Sequence, residues 1–266
     1  MNDTEMNVRF YLPHLIKLGG EDVLDWDACQ KTFLDVRALH EAGGKEGKQV
    51  EANIYELILA IKIGHPQAYR FVNFCDQLLG SLNLILDEKG KKKIRPILTN
   101  IFTAHDHKFL NFLGELIVLS KLLHSKIFLL NNVEVVIPNN KRIDFELVNL
   151  NQGGRLDLLE VHNVHLDDDK VQEDDKKLLQ FFSKRRRDKI EETKAGLTAD
   201  MEINFMQVYW GGFESLCIYA FFFKRHYAYL KDLEPLAFAT TYNNQDPSQF
   251  THSYGRLHEV LAAHIE

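Results

Sequence analysis

The stretch "KRIDFELVNLNQGGRLDLLEVHNVH", residues 141–165, contains two runs of alternating apolar and polar residues separated by "NQGG". Alternation with a period of two is typical of a strand with one buried face, and the glycine pair between the runs favours a tight turn. Folding the chain about Gln152 places Asp144 opposite Glu160, whereas a turn at Gly153-Gly154 would shift the pairing by a residue or two and still leave the two carboxylates near each other. The stretch therefore predicts an antiparallel hairpin that carries two facing carboxylates.

These two carboxylates are expected to need a cation. Directly opposed residues of an antiparallel pair have Cβ atoms about 4.5 to 5.5 Å apart, and two like charges that close raise each other's pKa unless a cation lies between them. Mg²⁺ and Mn²⁺ prefer oxygen ligands of this kind. The same period places Glu146 on the face of Asp144 and His162 on the face of Glu160. One face of the hairpin is therefore polar, and it is a candidate metal site.

The rest of the chain predicts an α/β protein. Up to about residue 126 the apolar residues recur at three- and four-residue spacing, which is typical of helices; the last of these helices, within residues 107–126, carries Glu115 beside its apolar stripe. The period then changes to two. Further elements are predicted as follows: a strand at 132–138 before the hairpin, a basic helix that ends near Gly196, strands at 203–210 and 215–223, and a closing helix within 253–266.

Composition limits the class of protein only broadly. The 266 residues are 45% hydrophobic, enough for one large domain or two small ones, and the net charge of -6 argues against a generally basic nucleic-acid coat. Three widely spaced cysteines fit neither a disulfide framework nor a zinc site. No apolar run approaches the roughly 18 to 20 residues of a membrane span, and the N-terminus lacks a signal-peptide pattern. We therefore expect a cytoplasmic protein with no membrane partner.

The order of these elements resembles that of the PD-(D/E)XK nuclease superfamily, which has the restriction-endonuclease-like fold. A helix with a glutamate ("GELIVLSKLL") precedes a strand with an aspartate ("KRIDFEL"), and a strand with a glutamate, a helix and another strand follow. The matching positions are Glu115, Asp144 and Glu160. The resemblance covers roughly residues 109–223. It implies a core of mixed sheet flanked by helices, the nuclease domain at 106–266, preceded by a helical N-terminal region at 1–105.

The resemblance implies metal-dependent hydrolysis of phosphodiester bonds, with DNA as the substrate in preference to RNA. Asp144, Glu160 and Glu115 would bind Mg²⁺ or Mn²⁺, and the metal would lower the pKa of a bound water. The basic residues Lys184, Arg185, Arg186 and Arg187 would attract the phosphate backbone. The resemblance also allows a homodimer, because cutting two strands needs two sites.

Two positions depart from the superfamily pattern. Ile143 stands where the superfamily has a proline, which changes only the local backbone preference. His162 stands where the superfamily has its lysine; a histidine can act as a base, donate to phosphate or bind metal, and it is equally an ordinary hydrogen-bonded strand residue. Basic residues from elsewhere are alternatives for the lysine. These are Lys141, Arg142, Lys176 and Lys177.

Less specific interpretations stay open for each feature. Asp144 and Glu160 also fit an exposed polar sheet face, and residues 184–187 also fit a solvated helix face. The alternative to an enzyme is a catalytically inactive module of the same fold, which binds nucleic acid or a protein partner.

Overall fold

The computed structural model describes residues 1–41, 53–104, 108–165, 175–198, 201–210, 221–222, 224–226, 228, 236–242 and 250–262. The chain divides into two compact units, Met1–His124 and Ser125–Glu266. The first unit is helical and the second contains a sheet, so the protein is of the α/β class. None of the helices in these ranges has the length and apolar character of a membrane span.

The first unit is a set of packed helices. Its described helices are α1 (Asp3–Tyr11), α2 (Pro13–Gly19), α3 (Trp26–Glu41), α4 (Ile54–Lys62), α5 (Pro66–Ile85), α6 (Glu88–Thr103) and α7 (Phe109–His124). Buried side chains such as Leu15, Tyr55, Leu82, Leu98 and Leu116, each at most 1% exposed, form its core. Buried residues recur at helical spacing along single helices, as Val72, Cys75 and Leu79 do along α5, which is why the sequence pattern locates this unit well.

The helix α7 belongs to this first unit. It packs against α5 and α6, and Phe109 makes an edge-to-face contact with Phe71 of α5, with ring centroids 6.3 Å apart. We predicted a domain boundary after residue 105, whereas the two compact units divide after His124. The apolar residues of α7 explain the difference, because the helical unit supplies the partners that bury them.

The second unit is built on a mixed sheet. In the described part of the chain its strands are β1 (Phe128–Val136), β2 (Arg142–Asn149), β3 (Arg155–His165), β4 (Ile203–Trp210), β5 (Leu236–Tyr242) and β6 (Phe250–Arg256), adjacent in that order. Strands β1, β2 and β3 are antiparallel, β3–β4 and β4–β5 are parallel, and β5–β6 are antiparallel. The helix α8 (Asp175–Lys194) connects β3 to β4, and α9 (Leu257–Ala262) follows β6.

The structure confirms the predicted strand at 132–138 as β1, the hairpin within 141–165 as β2 and β3, the strand at 203–210 as β4, and the basic helix as α8. The strand predicted at 215–223 lies mostly outside the described residues. Its described residues, Phe221 and Phe222, are helical, so the prediction is wrong there. Of these two residues Phe222 is fully buried, whereas Phe221 is 53% exposed.

Strand β1 is irregular. Its pairing with β2 shifts between Leu130 and Asn132, and Glu134 has a φ of 48°, in the left-handed region that non-glycine residues rarely adopt. A bulge of this kind places one extra residue on the bulged strand. Because β1 lies at the end of the described strand order, this irregularity falls on an edge of the sheet.

Candidate active site

The hairpin places Asp144 and Glu160 side by side. Phe145 pairs with Leu159, which is the register predicted by folding the chain about Gln152. The regular pairing of β2 with β3 ends there. The next backbone N–H of β3 that faces β2, that of Val161, donates to Asp144 Oδ2 at 2.6 Å. The carboxylate of Asp144 thus occupies the place of a backbone acceptor and is fixed against β3.

Glu160 is buried and only half satisfied. It is 1% exposed, and its Oε1 lies 2.5 Å from the ammonium Nζ of Lys189. Its second oxygen, Oε2, is also buried and has no hydrogen-bond partner in the part of the chain that the structure describes. Leaving a buried acceptor of this kind unpaired costs about 1 to 3 kcal/mol, more for a charged group. The unpaired oxygen is therefore a place where a ligand would be stabilising.

Lys189 is the cation of this site, and the sequence pattern did not identify it. It lies on α8 and is half-buried, with 34% of its side chain exposed. Burial lowers its pKa, but the charges of Glu160 and Asp144 outweigh this effect and hold the pKa above the ordinary value. Lys189 therefore stays an ammonium group beside the two carboxylates.

The electrostatic environment of Asp144 is unfavourable for its charge. Burial and the neighbouring charge of Glu160 raise the pKa of Asp144 to about 7, although the Val161 N–H and the charge of Lys189 act in the opposite direction. One lysine thus faces two carboxylates. With both carboxylates ionised, the three groups carry a net negative charge.

His162 lies further along β3, on the side of the strand that carries Glu160. It pairs with Gln207 of β4, and the Nε2 of Gln207 lies 3.4 Å from the Nδ1 of His162. Gln207 is 4% exposed. The described contact therefore ties His162 to the neighbouring strand, and the basic side chain that contacts Glu160 is that of Lys189.

The four lysine and arginine alternatives have other roles or positions. Lys141 donates to Thr193 Oγ1 at 2.6 Å, and Arg142 pairs with Glu134 at 2.8 Å. Lys176 and Lys177 are exposed near the start of α8. The cation does come from α8, but from its last part. No local pattern in the sequence marks Lys189, because its contact with Glu160 depends on how α8 packs on the hairpin.

Glu115 lies half-buried on α7, in the first compact unit, whereas Asp144 and Glu160 lie in the second. Among the described residues, no three His, Cys, Asp or Glu side chains gather as ligands of one ion. The carboxylates that the structure brings together are thus those of the hairpin. Glu115 as a third ligand stays a prediction.

The basic run at 184–187 lies on α8. Lys184 and Arg187 are exposed, and the guanidinium of Arg187 lies 3.8 Å from Asp188 and 3.9 Å from Glu191. The side chains of Arg185 and Arg186 lie outside the described residues. Lys184 and Arg187 are thus accessible to a phosphate backbone. The acidic neighbours of Arg187 offset part of its positive charge.

The donor set fits a hard divalent cation. Carboxylate oxygens are the ligands that Mg²⁺ and Mn²⁺ prefer, and Glu160 Oε2 is buried without a described partner close to the charge of Asp144. The ion pair with Lys189 engages only one oxygen of Glu160. Within the described part of the chain, two carboxylates, one of them with an unpaired oxygen, thus face one ammonium group.

Comparison with known proteins adds no further constraint. No protein-family model, no curated protein and no solved structure matches the chain.

Proposed function

We propose that this protein is a divalent-metal-dependent nuclease with a restriction-endonuclease-like core, and that Asp144, Glu160 and Lys189 carry its chemistry. The observation that supports this most strongly is the state of Glu160. One of its oxygens contacts a lysine, while the other is buried and unpaired among the described residues. The order of β1 to β3, α8 and a β4 parallel to β3 also supports the proposed core.

In this proposal Asp144 and Glu160 bind Mg²⁺ or Mn²⁺. The bound ion would supply a water of lowered pKa and would offset negative charge on the phosphate. The Val161 N–H holds Asp144 in place through its hydrogen bond to Oδ2. This bond orients one carboxylate before any ligand arrives, which reduces the entropy cost of assembling the site.

Lys189 takes the role that the superfamily pattern gives to the lysine at the position of His162. Its ammonium group donates hydrogen bonds and places a positive charge where a phosphate oxygen gains negative charge. A lysine on a neighbouring helix can do this because its contact with Glu160 depends on distance in space and not on sequence spacing. His162, held by Gln207, then has a supporting position.

The test is cleavage of plasmid and oligonucleotide DNA and RNA by the purified protein with Mg²⁺ or Mn²⁺. Asp144→Asn and Glu160→Gln are expected to reduce cleavage about 100-fold or more, because each removes several kcal/mol of charge stabilisation. Glu146→Gln is the matched control: Glu146 lies on the same face of β2 but is bonded to Asn131. Equal cleavage by all three variants would contradict the proposed site.

The ion pair of Glu160 with Lys189 also supports the second candidate, an inactive module that binds nucleic acid or a protein. In this candidate Lys189 neutralises the charge of Glu160, so the fold is stable without a metal. This candidate predicts that no metal or substrate supports cleavage, and that calorimetry detects no heat on adding Mn²⁺. The two candidates are thus separated by one titration and one cleavage assay.

A further inference from the structure

The last turns of α8 are fixed to the turn between β1 and β2. Lys141, in this turn, donates to Thr193 Oγ1 at 2.6 Å and lies 3.8 Å from Glu192. Asn139 donates from Nδ2 to the backbone oxygen of Glu192 at 3.2 Å. A Cβ atom at Gly196 would overlap the side chain of Asn139, so a larger residue at that position would displace the Asn139 side chain from its bond to Glu192.

Thr193 is central to this connection. It is 0% exposed, and its hydroxyl donates to the backbone oxygen of Lys189 at 2.8 Å while it accepts from Lys141. A hydroxyl has one hydrogen to donate, so the two bonds define its orientation. The hydroxyl of Thr193 thus bonds to the backbone of Lys189, and the ammonium group of Lys189 contacts Glu160.

Apolar packing holds the same end of the helix. Leu197 and Ile203 pack on a buried cluster formed by Ile137, Ile143 and Leu158. Ile137 adjoins the turn, and Ile143 is next to Asp144 in sequence. The helix end, the turn and the hairpin are thus joined by both polar and apolar contacts.

We propose that Thr193 and Lys141 are positioning residues, which hold the backbone of Lys189 at the place where its ammonium group meets Glu160. The contacts form a continuous series from the turn through Lys141 and Thr193 to Lys189 and Glu160. The meaning of this series for catalysis rests on the proposed function, whereas the positioning itself does not. In this proposal Lys141 positions Lys189 and does not replace the lysine of the superfamily pattern.

The positioning is tested by the chemical reactivity of single lysines, which requires no enzymatic activity. Thr193→Val keeps the shape of the side chain and removes its hydroxyl, and Thr193→Ser keeps the hydroxyl. Full-length protein and both variants are treated with a limiting amine-acylating reagent, and the modification of each lysine is measured by mass spectrometry. Lys184, exposed on the same helix, is the internal reference.

We expect Thr193→Val to increase the modification of Lys189 relative to Lys184 by about two- to tenfold, the range that corresponds to one net hydrogen bond. Thr193→Ser is expected to behave as the parent protein. Unchanged modification of Lys189 in folded Thr193→Val would overturn the inference. An equal rise at Lys184 would also overturn it, because it would show a general loosening of the helix.

A second variant keeps the test decisive if Thr193→Val does not fold. Lys141→Met removes the donor from the other side and leaves Thr193 intact, and the same selective rise at Lys189 is expected. Where cleavage is measured, both variants should lower kcat and leave KM for the oligonucleotide unchanged. Absence of cleavage by the parent protein would refute the proposed function, while the reactivity of Lys189 would still decide the positioning.

Discussion

Lys189 is the residue on which the two candidate functions differ most. Lys189→Met should reduce cleavage about 100-fold or more if its charge stabilises the reaction, since electrostatic donors of this kind contribute about 3 to 4 kcal/mol. Lys184→Met, which removes an exposed lysine of the proposed binding surface on the same helix, is the control and should retain the cleavage rate when the protein is in excess over its Kd for the oligonucleotide. Rates are measured with one oligonucleotide under single-turnover conditions. Loss of activity in both variants would indicate a role in binding and not in chemistry.

His162→Lys tests whether the histidine is a degraded catalytic position. Because Lys189 already contacts Glu160, a second lysine would add positive charge beside an existing ammonium group. We therefore expect no gain in cleavage. We also expect less heat on adding Mn²⁺ in calorimetry, because the added positive charge repels the metal ion. A large gain in cleavage would show instead that Lys189 does not replace the lysine of the superfamily pattern.

Asp144 should make the metal-free protein less stable as the pH rises. Its pKa is raised to about 7 by burial and by Glu160, from about 4 in an unfolded chain. Between these values the folded protein binds a proton that the unfolded chain has released, so stability falls as the pH increases through this window. Asp144→Asn removes the effect and should be more stable than the parent above about pH 7.

This gain should shrink as the pH is lowered through the same window. Urea unfolding in the presence of a chelator, at about pH 8 and about pH 5, measures the gain under both conditions. A gain of equal size at the two pH values would mean that the carboxylate is not the cause.

At the scale of single elements, α4 illustrates how a local signal sets a helix boundary. The side chain of Asn53 accepts from the N–H groups of Tyr55 and Glu56 at 2.9 and 3.0 Å, and Glu56 accepts from the N–H of Asn53 at 2.8 Å. This reciprocal arrangement is a capping box. It satisfies N–H groups that the first turn of a helix otherwise leaves unpaired.

Asn53→Ala should lower the free energy of unfolding by about 0.5 to 2 kcal/mol, because alanine cannot accept these bonds. Asn53→Asp and Asn53→Ser keep an acceptor and should cost much less. Urea unfolding followed by circular dichroism measures the three variants. An equal loss in all of them would point to packing around the buried residue and not to the cap.

The elements that could be predicted are those whose signals are local. Strands β1 to β3 show period-two alternation, and the glycines at the turn between β2 and β3 favour folding about Gln152, which is the register of the structure. Strands β5 and β6 were not predicted. Residues 236–242, "LAFATTY", lack clear alternation, and their strand depends on pairing with β4 and β6, which are distant in sequence.

The candidate site was predictable to the same degree. Asp144 and Glu160 follow from one hairpin, so their proximity could be read from the sequence. Lys189 could not, because its contact with Glu160 depends on how α8 packs on the hairpin. The placement of α7 with α5 and α6 likewise depends on packing partners that no local pattern identifies.

At the scale of the whole molecule, the exposed charges of α8 predict where a nucleic acid would bind. A double substitution, Lys184→Glu with Arg187→Glu, should weaken binding of the non-cleaving Glu160→Gln protein to DNA and reduce the dependence of affinity on salt. The matched control is Lys89→Glu with Lys92→Glu, the same charge change at two exposed lysines of α6 in the first unit.

Fluorescence anisotropy at several salt concentrations measures both double variants. We expect the α8 variant to lose about tenfold or more in affinity and the α6 variant to stay within about threefold of the parent. Equal losses would mean that general charge, and not the surface beside the candidate site, determines binding.

The irregular edge of the sheet has a consequence for self-association. A straight, unpaired strand exposes a row of N–H and C=O groups on which another chain can add a strand, and this is a common route to fibrils. The shift at Leu130 and the left-handed backbone of Glu134 interrupt that row. Growth of filaments along this edge is therefore disfavoured, and pairing of two copies through β1 is a less favourable route to a homodimer.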